Sequence, residues 1–141
     1  MASRAAVVTS LFLAACGGTT YYAGATQTTA LAPADAYECA KTQFMGLGYK
    51  TAVHDDDARR LVGQKRDTVT HIADIQLRKV FDQLEVDAKA TKEGTTALTV
   101  LARSFEERSN AGGVRVDERK ASSQVQTDAV ALLKNCGASG E

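Results

Sequence analysis

The sequence of 141 residues has no tryptophan, a single proline, and only four phenylalanines and four tyrosines. A core built from it must rest mainly on Leu, Val, Ile and Ala, with few aromatic anchors. Neither sign of charge is in excess, since 17 basic side chains meet 17 acidic ones. Nucleic-acid binders carry a basic surplus or stripe, so no nucleic-acid partner is expected. No apolar run approaches the roughly 20 residues that a membrane-crossing helix needs. The nucleophile and zinc signatures G-x-S-x-G, S-x-x-K and H-E-x-x-H are missing, as is Cys-x-x-Cys. The glycine pairs at 17–18 and 112–113 do not make a phosphate loop. These absences lead to the expectation of no catalysis, no metal and no cofactor. No internal repeat of solenoid length occurs either.

What is present begins at the N-terminus. Met1-Ala2-Ser3-Arg4 carries one positive charge, and Ala5 to Leu13 is almost entirely apolar. A basic start, a short apolar stretch and small residues after it form the pattern of an export signal. Leu13-Ala14-Ala15-Cys16, followed by Gly17, resembles the lipobox of bacterial lipoproteins. The resemblance implies a diacylglycerol thioether on Cys16, cleavage before it, and a lipid anchor as the membrane partner. Two or three acyl chains hold stably, at about 0.8 kcal/mol per buried methylene. Gly17 stands where some inner-membrane lipoproteins carry aspartate, so the resemblance favours the outer membrane, facing the periplasm. Cleavage removes Arg4 and no acid, leaving 16 basic and 17 acidic side chains.

The expected organisation is a signal over 1–15, a lipidated cysteine with a flexible tether over 16–32, a domain over 33–137, and a tail over 138–141. The tether reading rests on the uncharged Gly/Thr/Ala composition of 17–32. Its Tyr21-Tyr22 pair reads either as an interfacial aromatic contact or as two tyrosines in a disordered linker.

Within the domain, Asp35 with Glu38 suggests a helix start, and Ala36, Cys39, Ala40, Phe44 and Leu47 recur at helical spacing before Gly46 and Gly48. Residues 49–53 and 60–65 read as strands joined by an acidic turn, whereas 67–79 fits neither period. In the next hairpin, Leu84, Val86 and Ala88 alternate with charged residues, and Leu98, Val100 and Ala102 answer them. Matching the faces requires a three-residue loop, Lys92-Glu93-Gly94, and pairs Leu84 with Ala102, Val86 with Val100 and Ala88 with Leu98. Ser109 to Gly113 reads as a loop. Ser123 with Gln126 suits the cap of a last helix whose apolar face runs from Val125 to Cys136, with Gly137 as its stop. The expectation is an α+β domain: an antiparallel four-stranded sheet in helix–hairpin–hairpin–helix order, both helices on one face.

Three groups of residues carry the functional expectations. Cys39 and Cys136 lie on the apolar faces of the first and last helices, and in an oxidising compartment such a pair reads as a disulfide. Two buried thiols, a metal site and a redox centre are the alternatives. The hairpin register places Phe81 opposite Phe105 with Leu101 nearby, an apolar patch suited to a partner unless 67–79 or 106–116 covers it. His54-Asp55-Asp56-Asp57 offers imidazole and carboxylates but lacks the spacing of a calcium loop; a solvated turn, neutralised by Arg59 and Arg60, is the plainer reading. Arg59, Arg60, Lys65 and Arg66 could line up as a basic strip for an anionic polymer or simply face solvent. The leading expectation is a non-catalytic, lipid-anchored envelope module that binds or scaffolds an envelope protein. A pocket for a small hydrophobe is one alternative, and a hydrolase using His54 is another.

Overall fold

The computed structural model describes residues 21–73 and 76–137, and side chains other than those of 67–77. The export signal, Cys16 and the tail lie outside the described residues. The elements run β1 (Ala23–Thr29), α1 (Pro33–Leu47), β2 (Lys50–Asp55), β3 (Arg60–Ala73), β4 (Gln76–Ala90), β5 (Thr96–Asn110), β6 (Gly113–Arg119) and α2 (Ser123–Gly137). All pairings are antiparallel, in the order β1-β5-β4-β3-β2, with β6 also on β5. The class is α+β as expected, with six strands among the described residues where four were expected. No described helix is long and apolar enough to cross a membrane.

The β4–β5 hairpin has the expected register, with Leu84 opposite Ala102, Val86 opposite Val100 and Ala88 opposite Leu98. Ala90 and Thr96 are the last pair, Thr91 N–H donates to the Thr95 carbonyl at 2.9 Å, and Gly94 has φ +80°. The even residues from Asp82 to Ala88 and from Thr96 to Ser104 are buried beneath the helices, where Phe44, Leu61, Val125, Leu132 and Cys136 complete the core. Alternation of period two thus sorts apolar from polar residues across the sheet.

The extra strands correct two expectations. The 16–32 stretch is not all tether: Ala23 to Thr29 pairs along Thr96–Ala102. Its Ala and Thr residues are too small to display an apolar period, so the strand leaves little trace in a hydropathy pattern. Likewise the 106–116 region is no covering loop, because β5 continues to Asn110 and pairs with β6 through a turn in which Asn110 Oδ1 accepts the Gly112 N–H at 2.8 Å. In the ambiguous 67–79 stretch, residues 67–73 and 76–79 are strand as well. The β3–β4 register slips between Arg66 and Thr68 and again between His71 and Ala73. Each bulge resets the inside–outside parity, which erases a simple alternation.

Both helix starts differ from the sequence reading. The α1 N-cap is Ala32, with Pro33 in the first turn and no side-chain cap. The α2 cap is Ser122, whose Oγ accepts the Val125 N–H at 3.1 Å, one residue earlier than expected. Gly48 does end α1, at φ 85°, with its N–H on the Met45 carbonyl.

A disulfide joins Cys39 of α1 to Cys136 of α2, their Cα atoms 5.8 Å apart and 97 residues apart in sequence. In the chain-entropy account, a loop of this length stabilises by up to about 4.7 kcal/mol. Gly63 is a point where helix and sheet meet closely, since a Cβ there would overlap the Phe44 ring. Gly63→Val is therefore expected to lower stability by about 1–3 kcal/mol through overpacking. Gly46→Ala, with open space around it, should raise stability by up to about 1 kcal/mol. Urea denaturation of both variants would check the opposite signs.

Candidate partner-binding surface

The helices cover one face of the sheet, and among the described residues no element covers the other. That face is assembled row by row from cross-strand partners. One row holds Arg66, Phe81, Phe105 and Glu118; the next along the strands holds Lys79, Glu107 and Val116. Phe81 and Phe105 stack with ring centroids 5.2 Å apart and 21° between planes, and each is half-buried. Leu101 sits two rows away in the other direction, across from Glu85 and Gly24. A Cβ at Gly24 would lie 2.9 Å from Leu101 Cδ2, so the leucine rests on bare backbone.

The register of β6 extends this apolar strip beyond the sequence reading. Val116 pairs with Glu107 and Val114 with Ser109, on the face of Phe105, and the two valines are 51% and 67% exposed. They are the most accessible apolar groups of the strip, and the sequence reading missed them. The alternation Val114-Arg115-Val116-Asp117 is the signal that points to them.

Charged pairs border the strip. Glu85 lies 3.6 Å from Arg60 and 3.8 Å from Arg103, and Arg103 lies 3.9 Å from Glu118. The Arg103 guanidinium also stands over the Tyr22 ring at 5.4 Å. Tyr21 is tied through its carbonyl to the Ala121 N–H at 2.7 Å. The tyrosine pair is thus held against the domain, not left in a linker.

On the helix side lies a buried polar cluster. Asp82 is 3% exposed and accepts hydrogen bonds from Ser104 Oγ at 2.5 Å and Ser122 Oγ at 2.9 Å. Ser122 N–H donates to Ser104 Oγ. The carboxylate therefore fixes the serine that caps α2. Nearby, Tyr49 donates to Asp128 at 2.8 Å, Gln124 holds the other Asp128 oxygen, and Lys65 Nζ is 3.8 Å away. Burial, then the Asp128 hydrogen bond, pushes the Tyr49 hydroxyl upward. Both buried carboxylates are engaged in holding α2 to the sheet.

The basic strip does not form. Arg60 and Arg66 share the open face with Asp87 and Phe81, whereas Lys65 lies opposite Asp82 on the helix side. The acidic turn is structural: Asp55 Oδ1 accepts the N–H groups of Asp57 and Ala58. Asp56 Oδ1 accepts from Tyr37 at 2.9 Å and from Lys41 at 3.0 Å. Lys41 on α1, rather than Arg59 or Arg60, is its counter-charge, because α1 stands beside the turn while Arg60 turns to Glu85. No group of three potential metal ligands gathers among the described residues.

A shallow apolar groove of about 310 Å3 opens between β1 and α2, lined by Ala23, Ala25, Val100, Ala102, Ala129 and Val130 among others.

The sequence matches no protein-family model and no curated relative. The candidate surfaces stand on their geometry alone.

Two expectations follow. Ser122→Ala removes the α2 cap and leaves Asp82 with one fewer donor, and should cost about 1–2 kcal/mol in chemical denaturation. The hydrogen bonds of Lys41 and then Tyr37 hold the Asp56 carboxyl below its ordinary range, and those of Arg78 and then Arg108 do the same for Glu106. A lowered folded value means stability that is present above the unfolded carboxylate range, about pH 4, and lost as pH falls through the folded values. The urea midpoint should therefore drop between pH 5 and about pH 2, and drop less in a Lys41→Ala variant.

Proposed function

We propose that this chain is a lipid-anchored cell-envelope protein whose domain binds an envelope partner without catalysing a reaction. The observation that carries the binding reading is the apolar strip Phe81, Phe105, Val116 and Val114 on the uncovered sheet face. Exposed apolar patches of this kind mark interaction surfaces. Paired charges at its border favour a protein partner, since such a rim supplies orientation and rejects mismatched surfaces. The anchor rests on the lipobox resemblance around Cys16, and Gly17 favours the outer membrane.

A second reading is favoured by the groove between β1 and α2, whose lining carries no charge. It makes the domain a small-hydrophobe or lipid-binding module. Pockets for such ligands run from about 300 to 1,000 Å3, so the groove lies at the lower end.

In-cell crosslinking of the full chain, followed by mass spectrometry, separates the readings. The partner reading expects one dominant envelope protein, lost with Cys16→Ser and reduced at least fivefold with Val114→Ser plus Val116→Ser. Both valines are over half exposed, so that pair leaves the core untouched. Recovery of co-purifying lipid and no protein would move the weight to the second reading. His54→Ala is expected to leave both outcomes unchanged.

A further inference from the structure

A sheet that ends in solvent has unpaired N–H and C=O groups along its edges, and proteins usually blunt such edges with charge, proline or a bulge. Among the described residues, two of the three edge strands are blunted. β2 carries Lys50, His54 and Asp55 and has a register irregularity between Thr51 and Val53. β6 carries Arg115, Asp117, Glu118 and Arg119. β1, with the sequence Ala-Gly-Ala-Thr-Gln-Thr-Thr, has no charge, no proline and an unbroken seven-residue register. Its outer edge is unpaired among the described residues.

The groove lies along that same edge. Gln126, Thr127 and Val130 of α2 line it opposite Ala23, Gly24 and Ala25, and further along α2 the Cys136 carbonyl receives the Thr29 hydroxyl at 3.0 Å. The helix therefore runs beside β1 over its whole length, seated on β1 and β5. Val130 projects from it, 58% exposed.

We propose that the β1 edge and the adjoining flank of α2 form a two-fold interface between two copies of this chain. Antiparallel β1–β1 pairing, centred on Thr26, continues the sheet from one copy into the other. Strands lie about 4.8 Å apart. A helix seated over the β5–β1 boundary is about half a spacing inside β1, so the two-fold brings the α2 helices about 10 Å apart. That is the upper end of the roughly 8–10 Å at which helices pack. Each groove is then closed by the other copy's α2, with Val130 on its flank. The occupant is a second copy because strand and groove lining are uncharged. A neutral edge meets itself without like-charge repulsion, and it holds no charge pattern that would select a foreign strand.

The test is disulfide trapping of the full chain in its own envelope. Cys39 and Cys136 are already bonded to each other, and the unsubstituted chain reports any background from Cys16. Thr26 is exposed and at the centre of the strand, so Thr26→Cys puts two thiols across the two-fold, within the span of directly opposed residues. Oxidation is expected to give a band of twice the chain mass on a non-reducing gel. Thr51→Cys on β2 should give at least tenfold less. Adding Val130→Lys, at a site that is exposed in the monomer, should lower the Thr26→Cys dimer at least fivefold. A Gln126→Lys version serves as the second variant should Val130→Lys be unstable. No dimer from Thr26→Cys, equal yields from the two cysteine positions, or yields indifferent to both lysines would overturn the proposal. So would trapping of a different protein at position 26.

Discussion

The β4–β5 pairing is the constraint on which the other elements depend. It runs from Leu77 opposite Ser109 to Ala90 opposite Thr96, closed by a turn that needs Gly94 at positive φ. One continuous ladder decides which side chains face the helices and which face outward. A slip of β4 by one residue would send Leu84 and Val86 to the open face and bring Glu85 and Asp87 under the helices. Because β5 is long, it also hosts two neighbours on one side, β1 along its first half and β6 along its second. The helices cover only the part of the sheet that β1 borders; the ribbon beyond, where β6 pairs, relies on charge pairs. There Glu106 is met by Arg78 at 3.0 Å, Arg108 at 2.6 Å and Arg119 at 3.6 Å.

The helices are fastened to this ladder at distinct points by different chemistry. The α2 start is held by the Asp82 carboxylate through Ser122 and Ser104. Its end is held by Cys136, through the bond to Cys39 and the Thr29 hydroxyl. The α1 end closes on Gly63, where Phe44 reaches the backbone of β3. With few aromatics available, these fixed points do work that larger side chains would do in a richer core. A buried carboxylate held by hydroxyls is costly to place, yet it specifies one position for the helix start, because a shift would leave the charge unpaired.

How much of this was legible in the sequence follows from where side chains carry period. The β4–β5 register was readable because bulky apolar residues alternate with charges on both strands, and Gly94 narrows the turn. The Cys39–Cys136 bond was readable because both cysteines fall on apolar helix faces. β1 was not, because Ala, Gly, Thr and Gln have no strong preference that hydropathy detects. Residues 67–79 were not, because two bulges change parity within one strand. On the candidate surface, Phe81 was placed opposite Phe105 correctly from register alone, whereas Leu101, expected beside them, shares their face but lies four residues along β5 from Phe105. Val114 and Val116 were hidden by reading their hairpin as a covering loop. The α2 cap was misplaced by one residue because Ser122 and Ser123 are chemically alike, and only the position of Asp82 distinguishes them.

The presence of β1 also changes what a lipid on Cys16 would do to the domain. With the tether taken as 16–32, the domain would hang well away from the bilayer on a flexible coil. With Ala23 already in the sheet and the Tyr21 carbonyl tied to Ala121, only four residues separate Cys16 from Tyr21. Five bonds from Cα to Cα span at most about 18 Å even when fully extended. Under the proposed anchoring, the start of β1 and of α2 is the end of the domain held nearest the membrane. Two copies joined along β1 would then present two anchors, and detaching the pair would require both to leave the bilayer. Under that anchoring, the strand that opens the sheet would also set the height of the domain, with its open edge close to the plane that holds the anchors. Under that anchoring, confinement near one plane would raise the effective concentration of like edges and favour their pairing over that of chains free in solution.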